Sequence, residues 1–465
     1  MPSTLLRDSR ALGVLAVPLV LTQLAQVALT TTDTVMMGLL GTTELAAGGL
    51  AIVIFNQVRT MGVGLVTSVG NQTAAAAARA EQRAAKETTT GPDDDVRAIV
   101  RAALAVATLA GVVGAVLMIL IGQALPWLGQ DPAVVDLART LLYVLAPGLL
   151  PCLWFQALRQ FTVGMRRPQA LLRITIASVA VNAGLNWVLI HGTFGLPELG
   201  LLGIGTATST VYLLTCAALY LSAKRDKELA PLLSLNIAKA DPQVVKRLVG
   251  LGIPIAATYG SEAGFFSLTA LMAGSFGPDA LAAHTAVNQL VYIVFQVAVG
   301  LSHAASINVS RELALGDLDA ARRIKNTALA CAAAVMAVVG VLYVTIPRLI
   351  LAPFLDTGSD RALAIATQLL VVTAILQFFD CAQNIGVGLL RGLDDTRSGF
   401  RITLIGYWAV GLPASWLLAH TFGLDTLGIW LGLLTGLATT AVLLLRRYTH
   451  SLGRREVAAL PATAG

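Results

Sequence analysis

The chain has 465 residues, of which 56% are hydrophobic and only 12% are charged. Soluble globular domains carry about 25% charged residues, so this chain has too little charge to cover a surface that faces water. Its formal net charge of +6 does not indicate nucleic-acid binding, because the basic residues gather in connections between long apolar segments. The composition therefore excludes a soluble globular protein and predicts an integral membrane protein.

Twelve apolar segments follow one another along the chain, each long enough to cross a bilayer at about 20 residues per crossing. We expect an N-terminal lobe over 1–222, a cytoplasmic linker over 223–245, and a C-terminal lobe over 246–465 that ends in a short cytoplasmic tail. The transmembrane helices are predicted over residues 11–37, 46–75, 98–124, 137–163, 169–191, 199–222, 246–275, 281–310, 326–347, 362–389, 399–420 and 425–446.

Lys and Arg residues lie in alternate connections and at both termini. Cytoplasmic loops of membrane proteins are enriched in these residues, so both termini are expected in the cytoplasm. On the opposite side, only Arg139, Arg348 and Arg361 lie near the predicted boundary. The connections predicted to be cytoplasmic contain Arg79, Arg83, Lys86 and Arg97; Arg166 and Arg167; six basic residues between Lys224 and Arg247; Arg311, Arg322, Arg323 and Lys325; and Arg391 and Arg397.

The two halves of the chain repeat one another. When the second half is aligned with the first, Pro18 falls on Pro254 in one block, and Gly164 falls on Gly392 in a later block with a slightly shorter offset. Six spans separate the partners, so both copies have the same orientation in the membrane. Parallel six-helix repeats are a transporter architecture, with the substrate route at the interface between the halves. Further pairs are Gly64 with Gly300 in the first block and Arg173 with Arg401 in the second.

Three carboxylates, Asp33, Glu262 and Asp380, fall inside predicted spans. Such residues are costly in the membrane and mark ion or substrate pathways. A carboxyl group removed from water binds a proton more readily, and releasing that proton to an arriving cation is the physical basis of antiport. A neighbouring Arg or a helix end is the structural alternative, but asymmetry between the halves favours a functional role. The repeat partners are not acidic: Thr269 for Asp33, Gln26 for Glu262 and Cys152 for Asp380.

Polar residues of the fifth and sixth spans provide further oxygen atoms. Asn182 and Asn186 lie one turn apart on one helix face. With the hydroxyl of Thr206 or Thr208, they would join Asp33 in a site of hard oxygen ligands suited to Na⁺. Hydrogen bonding between helices explains the same spacing and stays open as the alternative.

Two prolines and several aromatic residues complete the candidates. Pro18 and Pro254 interrupt the first and seventh spans, where proline permits a kink, although packing alone would also explain them. A hydrophobic cavity for aromatic cations and plain packing are the two alternatives for the aromatic residues near the acids: Phe265, Tyr292, Phe295 and Phe379.

The sequence contains no Walker A, HExxH or GxSxG motif, each of which would indicate nucleotide hydrolysis or hydrolytic catalysis. We therefore expect no enzyme activity and no cofactor, with an ion gradient as the energy source. A membrane-embedded enzyme acting on lipid would need clustered catalytic groups in a long loop, and the two longest predicted loops contain no histidine.

From Arg10 to about Arg447 the chain resembles the multidrug and toxic compound extrusion (MATE) family, in its NorM-like bacterial branch. The resemblance rests on Asp33 after Pro18, on the Asn182–Asn186 segment, on Glu262 after Pro254, and on Asp380 ahead of Gly388-Leu-Leu-Arg391-Gly392.

The resemblance implies two lobes in a V and export of cationic, often aromatic, drugs in exchange for Na⁺ or H⁺. It also implies a monomer in the bacterial inner membrane, with cation or proton sites at Glu262 and Asp380 in the C-terminal lobe. Some relatives carry an acid where Asn186 stands, so the amide removes a charge. The implied N-terminal site comprises Asp33, Asn182, Asn186 and Thr206.

A flippase for a lipid-linked saccharide is the alternative within the same two-lobe architecture. Such a flippase typically has a cationic cavity for the diphosphate, whereas the intramembrane charges here are mostly acidic. Arg59 and Arg159, both inside predicted spans, keep this alternative open.

Overall fold

The computed structural model describes residues 2–86, 94–129, 131–195, 197–355 and 359–459, and within those ranges it contains helices and no strands. Twelve long helices are numbered α1 to α12 in chain order. They are α1 (Pro2–Leu40), α2 (Thr42–Lys86), α3 (Asp94–Ala124), α4 (Pro132–Gly164), α5 (Gln169–His191), α6 (Leu201–Arg225), α7 (Pro242–Gly274), α8 (Pro278–Leu315), α9 (Leu318–Thr345), α10 (Asp360–Gly392), α11 (Thr396–Thr421) and α12 (Asp425–Ala459).

Each predicted span falls on one of these helices, and α5 has the predicted bounds. Of the described helices, eleven are long and apolar enough to cross a membrane. The remaining one, α7, has 33 residues, but its apolar sequence is interrupted between Tyr259 and Glu262. The predicted all-α membrane architecture is confirmed.

Several helix ends differ from the prediction. Helix α2 continues to Lys86 and α12 to Ala459, because Ala, Arg, Glu and Gln continue a helix beyond the apolar residues. Hydropathy marks the part of a helix that lies in lipid, not the point where the helix ends. Two further features were not predicted: a short helix over Pro347–Leu351, and two π-helical stretches in α11, at Ile405–Gly411 and Leu417–Thr421.

The chain forms two compact units. Unit N comprises Leu21–Ala257, and unit C comprises Met1–Val20 together with Thr258–Gly465. The expected lobes over 1–222 and 246–465 stay a prediction, since the units divide differently. The first half of α1 belongs to unit C and the first half of α7 to unit N. The divisions fall just after Pro18 and Pro254, which lie inside these helices.

The same helix packing occurs in both units. In unit N, α4 packs against α2, α3 and α6, and α5 packs against α6. In unit C, α10 packs against α8, α9 and α12, and α11 packs against α12. The residues that follow the central helices also match: Arg166 (φ 59°) and Asp394 (φ 62°) are both left-handed, and the alignment that pairs Gly164 with Gly392 pairs these two as well. The structure thus repeats as the sequence does.

An ion pair fixes the connection after each central helix, with its charges reversed between the units. Arg167 donates to Asp226 at 2.9 Å in unit N, whereas Arg447 donates to Asp395 at 2.9 Å in unit C. Burial acts to raise the pKa of Asp226, but hydrogen bonds from the Glu228 backbone and from Arg167 hold that pKa below its usual range. Burial likewise acts to raise the pKa of Asp395, but hydrogen bonds from its partners hold that pKa below its usual range. Both carboxylates are therefore ionised at neutral pH.

The first half of α1 lies in unit C and the first half of α7 lies in unit N, so the two units exchange these half-helices. Glycines allow each half-helix to approach a neighbouring helix closely. A Cβ on Gly64 would lie 2.6 Å from the Cα of Ala256, and a Cβ on Gly300 would lie 2.8 Å from the backbone nitrogen of Val20. These two contacts are equivalent, since the alignment that pairs Pro18 with Pro254 also pairs Gly64 with Gly300 and Val20 with Ala256. Small residues of this kind let membrane helices pack backbone against backbone.

We expect Gly64→Ala and Gly300→Ala to lower the apparent Tm in detergent by about 5 °C each. The added methyl group forces the helices apart, and overpacking of this kind costs about 1–3 kcal/mol. The matched control is Gly49→Ala in α2, where a Cβ would meet nothing within 4 Å and alanine favours the helix. Equal melting temperatures for Gly64→Ala and Gly49→Ala would contradict the close approach.

Candidate functional site

Asp33 lies at the centre of a polar cluster in unit N. It belongs to α1 and is only 4% exposed. Its Oδ1 accepts hydrogen bonds from the side-chain amides of Asn182 (2.7 Å) and Asn186 (2.8 Å) of α5. Its Oδ2 accepts one from the hydroxyl of Thr208 of α6 at 3.0 Å. Three helices thus converge on one buried carboxylate.

The geometry of α5 and α6 decides which polar residues reach Asp33. Asn182 and Asn186 do so because a spacing of four residues places both on one helix face. On α6 the partner is Thr208, whereas the Thr206 hydroxyl donates to the Leu202 carbonyl of its own helix at 2.8 Å. The placement of Thr206 in this site is therefore corrected to Thr208. Two residues along a helix turn the side chain by about 200°, so only one of the threonines faces Asp33.

The amide oxygens of Asn182 and Asn186 have no hydrogen-bond partner among the described residues, although both side chains are fully buried. A buried acceptor left without a partner costs about 1–3 kcal/mol. Two such oxygens next to one carboxylate form a set of hard oxygen ligands, which suits a small cation.

A pocket of about 360 Å³ reaches Asp33 and Thr208 within unit N. Its wall also includes Asn56 and Tyr212, which the sequence did not single out. Asn56 accepts a hydrogen bond from the Arg59 Nε at 3.3 Å. The sequence could have indicated Asn56 and Arg59, because an amide and a guanidinium one turn apart inside an apolar span are unusual. Nothing in the sequence around Tyr212 indicated that it lines a pocket.

Glu262 and Asp380 lie together in unit C. The hydroxyl of Tyr407, a residue with no exposed surface, donates to the Glu262 carboxylate at 3.1 Å. Asp380 is 4% exposed and accepts from the Asn384 amide at 3.2 Å. Asn384, whose amide contacts Asp380, lines the same pocket as Glu262. A cation bound in this part of unit C would lie near negative charge.

The first π-helical stretch of α11 holds the neighbours of Glu262. It contains Tyr407 and also Trp408, whose indole N–H donates to the Ser261 hydroxyl at 2.8 Å. Consecutive residues of α11 thereby contact consecutive residues of α7. Stretches with π geometry occur frequently at functional sites, but nothing in the apolar sequence of α11 predicted one.

A second pocket, of about 340 Å³, lies in unit C beside Glu262. Its wall includes an arginine, Arg391, that was predicted in a cytoplasmic connection, and that prediction is wrong. Arg391 belongs to α10 and is 4% exposed, because this helix continues to Gly392. The remaining polar residues of the wall are Thr258, Tyr259, Ser302, His303, Gln383 and Asn384.

The four predicted aromatic residues lie elsewhere, and none belongs to the walls of these two pockets. Phe265 is fully buried and stacks on Tyr407, with ring centroids 4.8 Å apart. It is thus a core residue of unit C and not a cavity wall. Tyr292 is 47% exposed, Phe295 is half-buried, and Phe379 packs against the same core as Phe265. Their contact with a drug stays a prediction.

Comparison with known proteins agrees with this architecture. A probable multidrug resistance protein NorM of Pseudomonas aeruginosa is 36% identical over 451 residues, covering 95% of this chain and 89% of that protein. A protein of the same name from Bradyrhizobium diazoefficiens is 37% identical over 449 residues, covering 95% and 93%. The crystal structure of the Vibrio cholerae MATE transporter VcmN in the bent form has the same fold, with a TM-score of 0.84 and 16% identity over 98% of this chain and 99% of that chain.

The MatE family model matches the chain twice, over residues 18–188 and 254–417. The two matched segments begin at Pro18 and Pro254, the residues that the internal repeat aligns. The chain therefore belongs to the MatE family.

Proposed function

We propose that this protein is a secondary active multidrug exporter that carries cationic, often aromatic, compounds outwards in exchange for Na⁺ and/or H⁺. Its relatives named multidrug resistance proteins support export of drugs. The observation that supports antiport is the buried Asp33 carboxylate with two unpartnered amide oxygens beside it. The proposal places a monomer in a bacterial inner membrane with both termini in the cytoplasm.

The cluster around Asp33 suits a site that alternates between an occupied and an empty form. Without a cation, the amide N–H groups of Asn182 and Asn186 donate to the carboxylate and offset its charge. Rotation of each carboxamide exchanges its N–H group for its oxygen, which then faces a Na⁺ ion held by Asp33. A proton on Asp33 would likewise donate to one of these oxygens. Either ion provides the partner that the buried oxygens lack.

Glu262 and Asp380 supply the charge for which the organic cation competes. Two neighbouring carboxylates are most stable when a positive charge lies between them, and either a coupling ion or a drug can supply it. In the proposed cycle, a cation arriving from outside replaces the drug at these carboxylates and favours release. Competition for shared charge couples the two fluxes without a cofactor.

A flippase for a lipid-linked saccharide is the second candidate, which the buried guanidinium groups of Arg159 and Arg391 favour. A diphosphate carries at least two negative charges, so Glu262 and Asp380 would repel it. The acidic pair thus makes export of cations the stronger proposal.

Gradient-driven transport in proteoliposomes tests the function directly. We expect ethidium to move against its concentration gradient when a Na⁺ gradient or a pH gradient is imposed, because the carboxylates exchange one cation for the other. Imposing the gradients one at a time identifies the coupling ion, and an ionophore that dissipates the gradient provides the control. Movement of a fluorescent lipid-linked saccharide without movement of any dye would instead support the flippase.

A further inference from the structure

The last helix, α12, extends beyond the apolar segment that crosses the membrane. No charged residue lies between Asp425 and Arg446, and the helix then continues to Ala459. At 1.5 Å per residue, this extension is about 20 Å long, whereas the headgroup layer on each side of the hydrocarbon core is about 5–8 Å thick. The end of α12 therefore passes through a layer of lipid headgroups.

Two arginines of this extension hold the connection that follows α10. Arg447 donates to the Asp395 carboxylate at 2.9 Å, and Arg455 donates to the Leu393 carbonyl at 3.0 Å. The arginine immediately before each of them has no hydrogen-bond or ion-pair partner among the described residues. Each adjacent pair thus has one arginine that is bonded within unit C and one that is available to a partner from outside the chain.

The two available arginines, Arg446 and Arg454, lie on one face of α12 with His450 between them. A spacing of four residues places all three on one side of the helix, and all three are exposed. Tyr448 and Leu452 lie on the opposite side, where both are buried. The three exposed residues form a basic stripe, which faces away from the packed interior of unit C.

The basic stripe continues a surface of α12 that is suited to contact with lipid. Thr435 and Val442 lie on the same side of the helix as Arg446, and both are exposed. The Thr435 hydroxyl donates to the Leu431 carbonyl of its own helix at 2.8 Å, so it needs no water. Neither residue belongs to the walls of the two pockets. Acyl chains can therefore cover this surface up to the point where the basic stripe begins.

We propose that the basic stripe binds the headgroup of an anionic phospholipid, whose acyl chains lie along the surface that contains Thr435 and Val442. A guanidinium presents N–H groups in a planar fork that matches a phosphate, and basic residues next to a membrane helix attract anionic lipids. Arg446 and Arg454 are about 12 Å apart along the axis, and both long side chains can extend to the headgroup layer. An acidic protein in solution would leave the apolar surface unused.

The packing of the helix does not require the basic stripe. Helix α6 packs against α4 and α5 in unit N, as α12 packs against α10 and α11 in unit C. The alignment that pairs Gly164 with Gly392 gives the equivalent residues of α6, none of which is basic: Ala218, Ser222 and Asp226. The same packing thus occurs without positive charge at these positions, which favours a ligand as the reason for the stripe.

Thermal unfolding of the purified protein in a non-ionic detergent tests the lipid site. A bound headgroup holds the end of α12, and Arg447 and Arg455 of the same segment hold the connection after α10. Phosphatidylglycerol should therefore raise the apparent Tm until the site is saturated, whereas phosphatidylcholine, which has no net charge, should not. Glycerophosphoglycerol, the same anionic headgroup without acyl chains, should also leave the Tm unchanged at equal concentration.

Replacement of both Arg446 and Arg454 by glutamine should raise the phosphatidylglycerol concentration that gives half of this Tm increase about 25-fold, or about fivefold for each charge. The matched control replaces Lys224 and Arg225, two exposed residues at the end of the equivalent helix α6, by glutamine. It removes the same net charge and should change the half-maximal concentration less than twofold. An equal change in the two double variants would overturn the stripe as a specific site.

A single substitution decides the matter if the double variant fails to fold. His450→Glu changes one exposed residue and keeps both arginines, but it places a carboxylate four residues from each of them, where it pairs with their charges. The half-maximal concentration of phosphatidylglycerol should then rise at least fivefold. An unchanged concentration would refute the site. An equal response of the unmodified protein to phosphatidylcholine, or to glycerophosphoglycerol, would likewise overturn the binding of an anionic lipid.

Discussion

Replacement of Asp33 by asparagine is expected to abolish gradient-driven dye export while folded protein still accumulates in the membrane. Hydrogen bonds to charged groups contribute about 1.5–3 kcal/mol each, and each 1.4 kcal/mol changes an equilibrium constant tenfold. Loss of this charge should therefore reduce coupled export about 100-fold. The fold survives because asparagine has nearly the same shape, and the Asn182 and Asn186 amides can rotate to accept its new N–H group. Ethidium efflux from proteoliposomes, normalised to protein content, provides the measurement.

A pair of threonine variants on α6 tests whether Asp33 acts through the observed cluster. Thr208→Val removes a hydrogen bond to the carboxylate, so export should fall about tenfold, in keeping with a single bond to a charged group. Thr206→Val removes only a bond to its own helix, and export should stay near normal. The opposite order of effects would restore Thr206 to the site and contradict the cluster seen here.

Replacement of Glu262 by glutamine should abolish export to a similar extent. The glutamine oxygen can still accept the hydrogen bond from Tyr407, so the contact with α11 persists while the charge is lost. Asp380→Asn should have the same effect, because the proposed exchange needs both charges. Each variant is compared with the unmodified protein by dye efflux and by the concentration of Na⁺, or the pH, that gives half-maximal export.

Tyr407→Phe is the control for Glu262, since it removes the hydroxyl but leaves the carboxylate charged. We expect a loss of about tenfold instead of complete inactivity. Full export by both Glu262→Gln and Asp380→Asn would show that neither charge takes part in transport, and the antiport proposal for unit C would then fail.

Most of the helical architecture could be predicted from the apolar segments, and the candidate residues from the acids and amides inside them. The twelve spans were recoverable because each needs about 20 apolar residues to cross the lipid. Asp33, Glu262 and Asp380 stood out because a carboxylate in such a run is costly. The Asn182–Asn186 pair was recoverable because a spacing of four residues places both amides on one face of a helix.

Features that depend on helix rotation and packing were not recoverable from the sequence. Hydropathy cannot tell which of Thr206 and Thr208 faces Asp33, because that depends on the rotation of α6 against α1. Arg391 was misplaced because an arginine at the end of an apolar run looks the same whether its helix continues or stops. The π-helical stretch around Tyr407 lies where α11 packs tightly against α12, since a Cβ on Gly411 would lie 3.2 Å from the Cα of Gly436.

The exchange of half-helices between the units constrains the order in which the protein can fold during its synthesis. Residues up to Val20 are synthesised well before Thr258, where the rest of unit C begins, so the first half of α1 waits for the second repeat before its partner, Gly300, exists. Closing such a long separation slows folding. Cleavage in the 223–245 segment would leave each fragment with one borrowed half-helix missing.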